Sequence, residues 1–106
     1  MNTYQKGMRT VKKGRTLLES KGWKTADVET RSRFKKEDLF SLFDVMAIKP
    51  GKTKLIQFKT NSKPSMNKYI DFSRTYPQFE VEVWTWYDRK GWDITLVVSS
   101  KHLESK

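Results

Sequence analysis

Three polar side chains interrupt two apolar segments in the middle of the sequence. Asp44 lies within Phe-Asp-Val-Met-Ala-Ile, residues 43–48, while Gln57 and Lys59 lie within Leu-Ile-Gln-Phe-Lys, residues 55–59. Both segments are typical of buried strands, and a Lys-Pro-Gly-Lys turn between them predicts a hairpin. Because charged side chains are rarely buried without a partner or a metal, we predict a functional site on this hairpin.

The chemistry that these groups could perform is metal-assisted hydrolysis of a phosphodiester. Mg²⁺ prefers hard oxygen ligands and takes only one or two of them from carboxylates. Neighbouring strands lie about 4.8 Å apart, so Asp44 and Gln57 could contact one ion. Lys59 projects from the same face as Gln57, where its ammonium could orient the attacking water or stabilise the charged transition state. The pattern alone is common, and its weight comes from the apolar strands around it.

The other elements must hold this hairpin in place. In chain order we expect a helix over residues 5–21, a strand over 23–30, a basic loop over 31–36, a helix over 66–75 with Ser65 as its N-cap, strands over 79–87 and 92–98, and a frayed tail over 99–106. This order predicts one α/β domain spanning residues 1–106, with a central mixed β-sheet of about five strands flanked by helices.

Composition excludes several classes of site. The chain has no cysteine, which excludes disulfides, thiolate zinc sites and cysteine nucleophiles. His102 is the single histidine, which argues against multi-histidine metal sites. No apolar run approaches the roughly 20 residues that a membrane span needs, and the N-terminus has no apolar signal core. We therefore expect a soluble, intracellular protein of the cytoplasm, with no membrane partner.

The positive charge is concentrated in the first third of the chain. Residues 1–36 contain 11 Lys or Arg against 3 Asp or Glu, a net charge of +8 out of a total of +10. Such asymmetry predicts a polyanionic partner, for which we take nucleic acid; a solvated basic surface is the alternative. The expected phosphate contacts are Lys12, Lys13 and Arg15 on the first helix and Arg31, Arg33, Lys35 and Lys36 in the basic loop.

Some aromatic residues allow two interpretations. Phe34 in the basic loop could stack on a base or anchor the loop to the core. Trp84 and Trp86 share one face of a predicted strand, where they could form a stacking surface or belong to the core beneath a helix. In both cases the core interpretation is favoured, because stacking requires an accessible ring.

The arrangement resembles a known family. A basic first helix ends in Glu-Ser-Lys-Gly-Trp, residues 19–23, and the paired strands with Asp44 and Gln-Phe-Lys are followed by a helix and two strands. These features resemble the PD-(D/E)XK nuclease superfamily and, within it, the small Holliday-junction-resolvase-like members. The resemblance implies a restriction-endonuclease-like fold and a Mg²⁺- or Mn²⁺-dependent endonuclease acting on DNA, branched DNA included, as a homodimer. It also implies that Asp44 and Gln57 hold the metal and that Lys59 is the catalytic lysine.

The sequence departs from the family pattern in three places. Phe43 replaces the proline before the aspartate, Gln57 replaces a carboxylate, and no acid stands around residues 11–13, where many members have a helix glutamate. Asp38 is the expected substitute metal ligand, ahead of Glu37, although both could instead be helix or turn caps. The alternative function is a weakened nuclease fold that only binds nucleic acid; a third is an adaptor that uses the tryptophan surface.

Overall fold

A computed structural model of the chain describes residues 3–28, 30–31, 36–37 and 42–97, with side chains described for residues 7–28 and 42–97. Two helices and seven strands follow one another in these residues. They are α1 (Thr3–Ser20), β1 (Lys24–Asp27), β2 (Thr30–Arg31), β3 (Lys36–Glu37), β4 (Val45–Lys49), β5 (Lys52–Thr60), α2 (Asn67–Thr75), β6 (Glu80–Tyr87) and β7 (Gly91–Val97).

Five of the strands form the central sheet, in the order β1-β4-β5-β6-β7. All neighbours are antiparallel except β5 and β6, which are parallel and are joined through α2. A parallel pair needs such a crossover, whereas β4 and β5 are joined by the tight turn at Pro50 and Gly51. Gly51 has a φ of 77°, as the third residue of a type II turn requires. The prediction of a five-stranded mixed sheet flanked by helices is confirmed.

Each helix covers one face of this sheet. The α1 face contains the core cluster of Leu18, Val45, Ala47, Ile56, Phe58 and Trp84. The α2 face contains the cluster of Phe43, Leu55, Tyr69, Val81, Val83 and Val97. The period-two alternation of β5 and β6 divides their apolar residues between these two clusters, as a sheet covered on both faces requires.

Gly14 allows α1 to lie close to the sheet. A Cβ at this position would overlap the ring of Phe58. Glycine in a helix interior costs about 1 kcal/mol relative to alanine, and here the close approach of α1 to β5 explains why it is present.

Three local predictions need correction. The basic segment at residues 31–36 was expected to be a loop, yet Arg31 and Lys36 pair with each other in the two-stranded sheet of β2 and β3. The first strand ends at Asp27 rather than residue 30. Ser65 is not the N-cap of α2; the cap position is Met66, and no side chain there accepts a capping hydrogen bond. The predicted tail over residues 99–106 lies outside the described residues.

Within the ranges that the structure describes, no helix combines the length and hydrophobicity needed to cross a bilayer.

Candidate functional site

A bend in the backbone places Asp44 at the start of β4. In a regular strand Phe43 and Val45 would share a face, but Phe43 belongs to the α2 face and Val45 to the α1 face. The bend is held from both sides: the N–H of Asp44 donates to the Ile56 carbonyl at 3.0 Å, and its own carbonyl accepts from the Val28 N–H at 3.0 Å. The backbone of Asp44 is therefore fixed between two neighbouring chain segments.

The carboxylate of Asp44 is buried against β5. The residue is 6% exposed, and its Oδ2 accepts a hydrogen bond from the Phe58 N–H at 3.1 Å. A hydrogen bond to a carboxylate is stronger than one between neutral groups, so it fixes the orientation of the side chain. The carboxylate consequently lies beside the peptide that joins Gln57 to Phe58.

Gln57 provides an oxygen next to this carboxylate. Val45 pairs with Ile56 across the hairpin, so the preceding Asp44 and the following Gln57 are neighbours. Gln57 is half-buried, and its Oε1 is buried without a hydrogen-bond partner among the described residues. A buried polar atom left unsatisfied costs about 1–3 kcal/mol, which a bound water or cation could offset.

Lys59 lies on the same face, one pleat further along β5. It is half-buried and is paired in register with Thr85 of β6. Leu55, Gln57 and Lys59 follow one another at period two, so this face changes from apolar core to polar residues over the length of the strand. Gln57 and Lys59 thus lie on the face opposite α1, and the Asp44 carboxylate lies beside the peptide of Gln57 and Phe58.

The predicted phosphate contacts on α1 differ in the contacts that their side chains make. Lys12 and Lys13 are both exposed, and the Lys13 ammonium lies 3.5 Å from the centroid of the Trp86 ring. The guanidinium of Arg15 donates through Nε to Thr25 Oγ1 at 3.0 Å, so it ties α1 to β1. These residues lie on the α1 side of the sheet.

The other predicted contacts can be placed only in part. Arg31 and Lys36 are paired strand residues whose side chains are not described, and Arg33, Lys35 and Asp38 lie outside the described residues.

The aromatic residues behave as core more than as a stacking surface. Trp84 is 3% exposed and packs edge-to-face against Phe58 and Trp92. Trp86 is half-buried, and one side of its ring is occupied by Lys13. Phe34 lies outside the described residues. The core interpretation of Trp84 is therefore supported by its burial.

One polar residue of this region has no counterpart in the sequence predictions. Thr85 is 0% exposed, and its Oγ1 lacks a hydrogen-bond partner among the described residues. It stands beside Lys59 and follows Val81 and Val83 at period two on the α2 face. Threonine is common in strands, so the sequence carries no signal that would single out this residue.

Asp44 and Gln57 provide a small set of oxygen ligands that suits a hard cation. In the part of the chain that the structure describes, no group of three or more His, Asp or Glu residues could hold a metal ion. The carboxylate of Asp44 and the unsatisfied Oε1 of Gln57 are nevertheless the oxygen ligands that Mg²⁺ and Mn²⁺ prefer, and they are neighbours across a hairpin.

Comparison with known proteins gives no match for the sequence but a clear match for the fold. No protein-family model and no curated protein matches the sequence. The fold, however, matches that of Hjc from Archaeoglobus fulgidus, a Holliday junction resolvase from an archaeal hyperthermophile, with a TM-score of 0.58 and 18% sequence identity. The match covers 87% of this chain and 73% of the resolvase. The fold resembles that of a Holliday junction resolvase. The resemblance predicted from the sequence is confirmed at the level of the fold.

Proposed function

We propose that the chain is a divalent-metal-dependent endonuclease that hydrolyses phosphodiester bonds in DNA, with branched DNA as its substrate. The observation that carries the proposal is the neighbouring pair of Asp44 and Gln57, in which a buried carboxylate stands beside an amide oxygen that has no hydrogen-bond partner among the described residues. The fold shared with the archaeal resolvase supports the substrate class.

Asp44, Gln57 and Asp38 would hold the cation, with Asp44 and Asp38 as its anionic ligands. A bound Mg²⁺ or Mn²⁺ would neutralise charge on the phosphate and make the attacking water more acidic. The Phe58 N–H holds Asp44 Oδ2, so Oδ1 would be the oxygen offered to the cation. Lys59 would orient the water or stabilise the negative charge that develops in the transition state.

The basic residues would hold the DNA by its phosphates. Lys12 is exposed on α1, and the chain carries a net charge of +10. Such contacts supply affinity and orientation without reading sequence, which suits a substrate recognised by shape. A homodimer, as the family resemblance implies, would present two such surfaces; sedimentation equilibrium would test this part of the proposal.

The test is a cleavage assay on four-way junction, duplex and single-stranded DNA, with Mg²⁺, with Mn²⁺ and with a chelator. We expect metal-dependent cleavage of the junction, and a loss of at least about 100-fold in rate for Asp44→Asn, which keeps the shape and removes the charge. Asp71→Asn, at an exposed position on α2, is the matched control and should cleave at the wild-type rate. An Asp44→Asn protein that is folded and cleaves as fast as wild type would refute the proposed site.

A second function is favoured by one specific observation. Position 57 is an amide rather than a carboxylate, so the site has lost a negative charge that would hold a cation. The second candidate is therefore a protein that binds branched DNA without cleaving it. Tight, salt-sensitive binding to the junction together with no cleavage in any metal would establish this candidate and exclude the first.

A further inference from the structure

Two buried oxygens on the α2 face lack partners, and they belong to adjacent strands. Gln57 Oε1 on β5 and Thr85 Oγ1 on β6 are the buried side-chain atoms without a hydrogen bond in the described part of the chain. Register pairs Gln57 with Val83 and Lys59 with Thr85, so the two residues are diagonal neighbours. Diagonal neighbours lie about 7–8 Å apart, and the long Gln57 side chain can cover part of this separation, so that a small ligand between the two residues could contact both.

Packing alone does not explain the hydroxyl of Thr85. The residue is 0% exposed, and valine has nearly the same shape without an oxygen to satisfy. Val81 and Val83 occupy the two preceding positions of the same face. An unpaired buried hydroxyl costs about 1–3 kcal/mol, so a purely structural role would favour a third valine.

We propose that Thr85 is a positioning residue of the metal site. Together with Gln57 Oε1, the Thr85 hydroxyl holds a water molecule of the cation's ligand shell. The inference rests on the proposed metal-dependent function. A hydroxyl can donate to one group and accept from another, which an amide oxygen cannot do, so the pair could hold a water molecule from two sides. Through this contact Thr85 would partly compensate for the carboxylate missing at position 57.

The test measures Mn²⁺ affinity by isothermal titration calorimetry on the protein without DNA, so it does not depend on cleavage. Thr85→Val should weaken Mn²⁺ binding by about 10-fold or more, the usual effect of removing a group that supports metal ligands. Thr85→Ser keeps the hydroxyl and should bind within about 3-fold of wild type, well inside that margin. Thr95→Val, on the same face of β7 and separated from Gln57 by Val83, is the matched control and should change nothing.

A second readout distinguishes positioning from folding. Without metal, Thr85→Val should be at least as stable to thermal unfolding as wild type, because it removes an unsatisfied hydroxyl. Wild-type Mn²⁺ affinity in a stable Thr85→Val protein would overturn the inference and leave the proposed function standing, provided that Asp44→Asn still abolishes Mn²⁺ binding. A wild-type protein that binds no Mn²⁺ would overturn both.

Discussion

The two faces of the sheet differ in how their most deeply buried polar side chains on β5 and β6 are satisfied. On the α1 face, the carboxylate of Glu82 accepts a hydrogen bond from Trp84 Nε1 at 2.8 Å and pairs with Lys54 Nζ at 3.0 Å. On the α2 face, Gln57 Oε1 and Thr85 Oγ1 are buried with no hydrogen-bond partner within the described ranges. Both faces therefore bury polar atoms, but the partners of Glu82 come from the protein, whereas these two oxygens have none among the described residues.

This difference distinguishes polar groups that the protein itself satisfies from polar groups that a ligand could satisfy. A buried charge that is paired and hydrogen-bonded within the protein contributes to a closed network, whereas an unsatisfied group costs free energy until a ligand meets it. The ammonium of Lys54 makes one further contact, 4.4 Å from the centroid of the Trp23 ring. The α1 face thus encloses a paired charge, whereas the α2 face leaves Gln57 Oε1 and Thr85 Oγ1 without a partner among the described residues.

The largest expected effect comes from opening the closed network. Glu82→Leu would leave the Lys54 ammonium largely buried without its counter-charge and Trp84 Nε1 without its acceptor. We expect a loss of about 3 kcal/mol in the free energy of unfolding, measured by urea denaturation. Gln57→Leu removes an atom that has no partner, so it should stay within about 1 kcal/mol of wild type or be more stable.

A double variant controls for the loss of packing at this position. Glu82→Leu combined with Lys54→Met replaces the whole ion pair by apolar side chains, which is often neutral or stabilising. It should recover the part of the loss that comes from the unpaired Lys54 ammonium, while Trp84 Nε1 still lacks the acceptor that Glu82 provides. If Gln57→Leu cost as much as Glu82→Leu, the contrast between the two faces would not hold.

The second prediction tests how closely α1 packs against β5. Gly14→Ala would drive a methyl group into the Phe58 ring, and overpacking of this kind costs about 1–3 kcal/mol, more than the gain in helix propensity of about 1 kcal/mol. We expect a lower thermal midpoint. Gly7→Ala lies on the same helix with nothing within 4 Å of its Cβ, and it should raise the midpoint. A Gly14→Ala protein as stable as Gly7→Ala would contradict the close approach of α1 to β5.

The third prediction concerns Gln57 on the α2 face and its contribution to Mn²⁺ affinity. Gln57→Glu would place a second carboxylate beside Asp44, and cation affinity rises with the number of charged ligands. We expect Mn²⁺ binding at least about 10-fold tighter by calorimetry, a change of about 1.4 kcal/mol. Without metal, repulsion between the two carboxylates should lower the thermal midpoint. Gln57→Leu, which cannot supply an oxygen, should move the affinity in the opposite direction; unchanged affinity in both would exclude Gln57 as a ligand.

Hydrophobic alternation was sufficient to predict the central sheet. The apolar runs of β4, β5, β6 and β7 and the Pro-Gly turn are strong local signals, and they predicted a mixed five-stranded sheet with two flanking helices. The pairing of Arg31 with Lys36 in β2 and β3 could not be predicted, because two-residue strands carry no periodicity. The bend at Asp44 was equally hidden, since a strict period of two places Phe43 and Val45 on one face.

The candidate site was predictable where polarity contrasts with its surroundings. Asp44, Gln57 and Lys59 stand out because they interrupt apolar strands. Thr85 does not, since threonine is common in strands and its burial without a partner is a property of the folded chain. The contact between Arg15 and Thr25 likewise depends on how α1 packs against β1, which residue types do not reveal.

The smallest expected effect concerns two adjacent lysines on α1. Both are exposed, and the Lys13 ammonium also lies over the Trp86 ring at 3.5 Å. Lys13→Ala should lower stability by about 0.5–1 kcal/mol through loss of the cation–π contact. Lys12→Ala should leave stability unchanged and reduce the salt dependence of DNA binding by about one unit of slope.

Thermal denaturation and DNA binding at several salt concentrations would measure both effects on each variant. If Lys12→Ala left the salt dependence unchanged, this part of α1 would not contact phosphate. The DNA would then have to be held from the α2 side, where Asp44 and Gln57 lie, and the basic surface of α1 would be solvated. If the slope fell as expected, DNA would contact the outside of α1. A substrate that also reached Gln57 on the α2 face would then have to pass around the edge of the sheet.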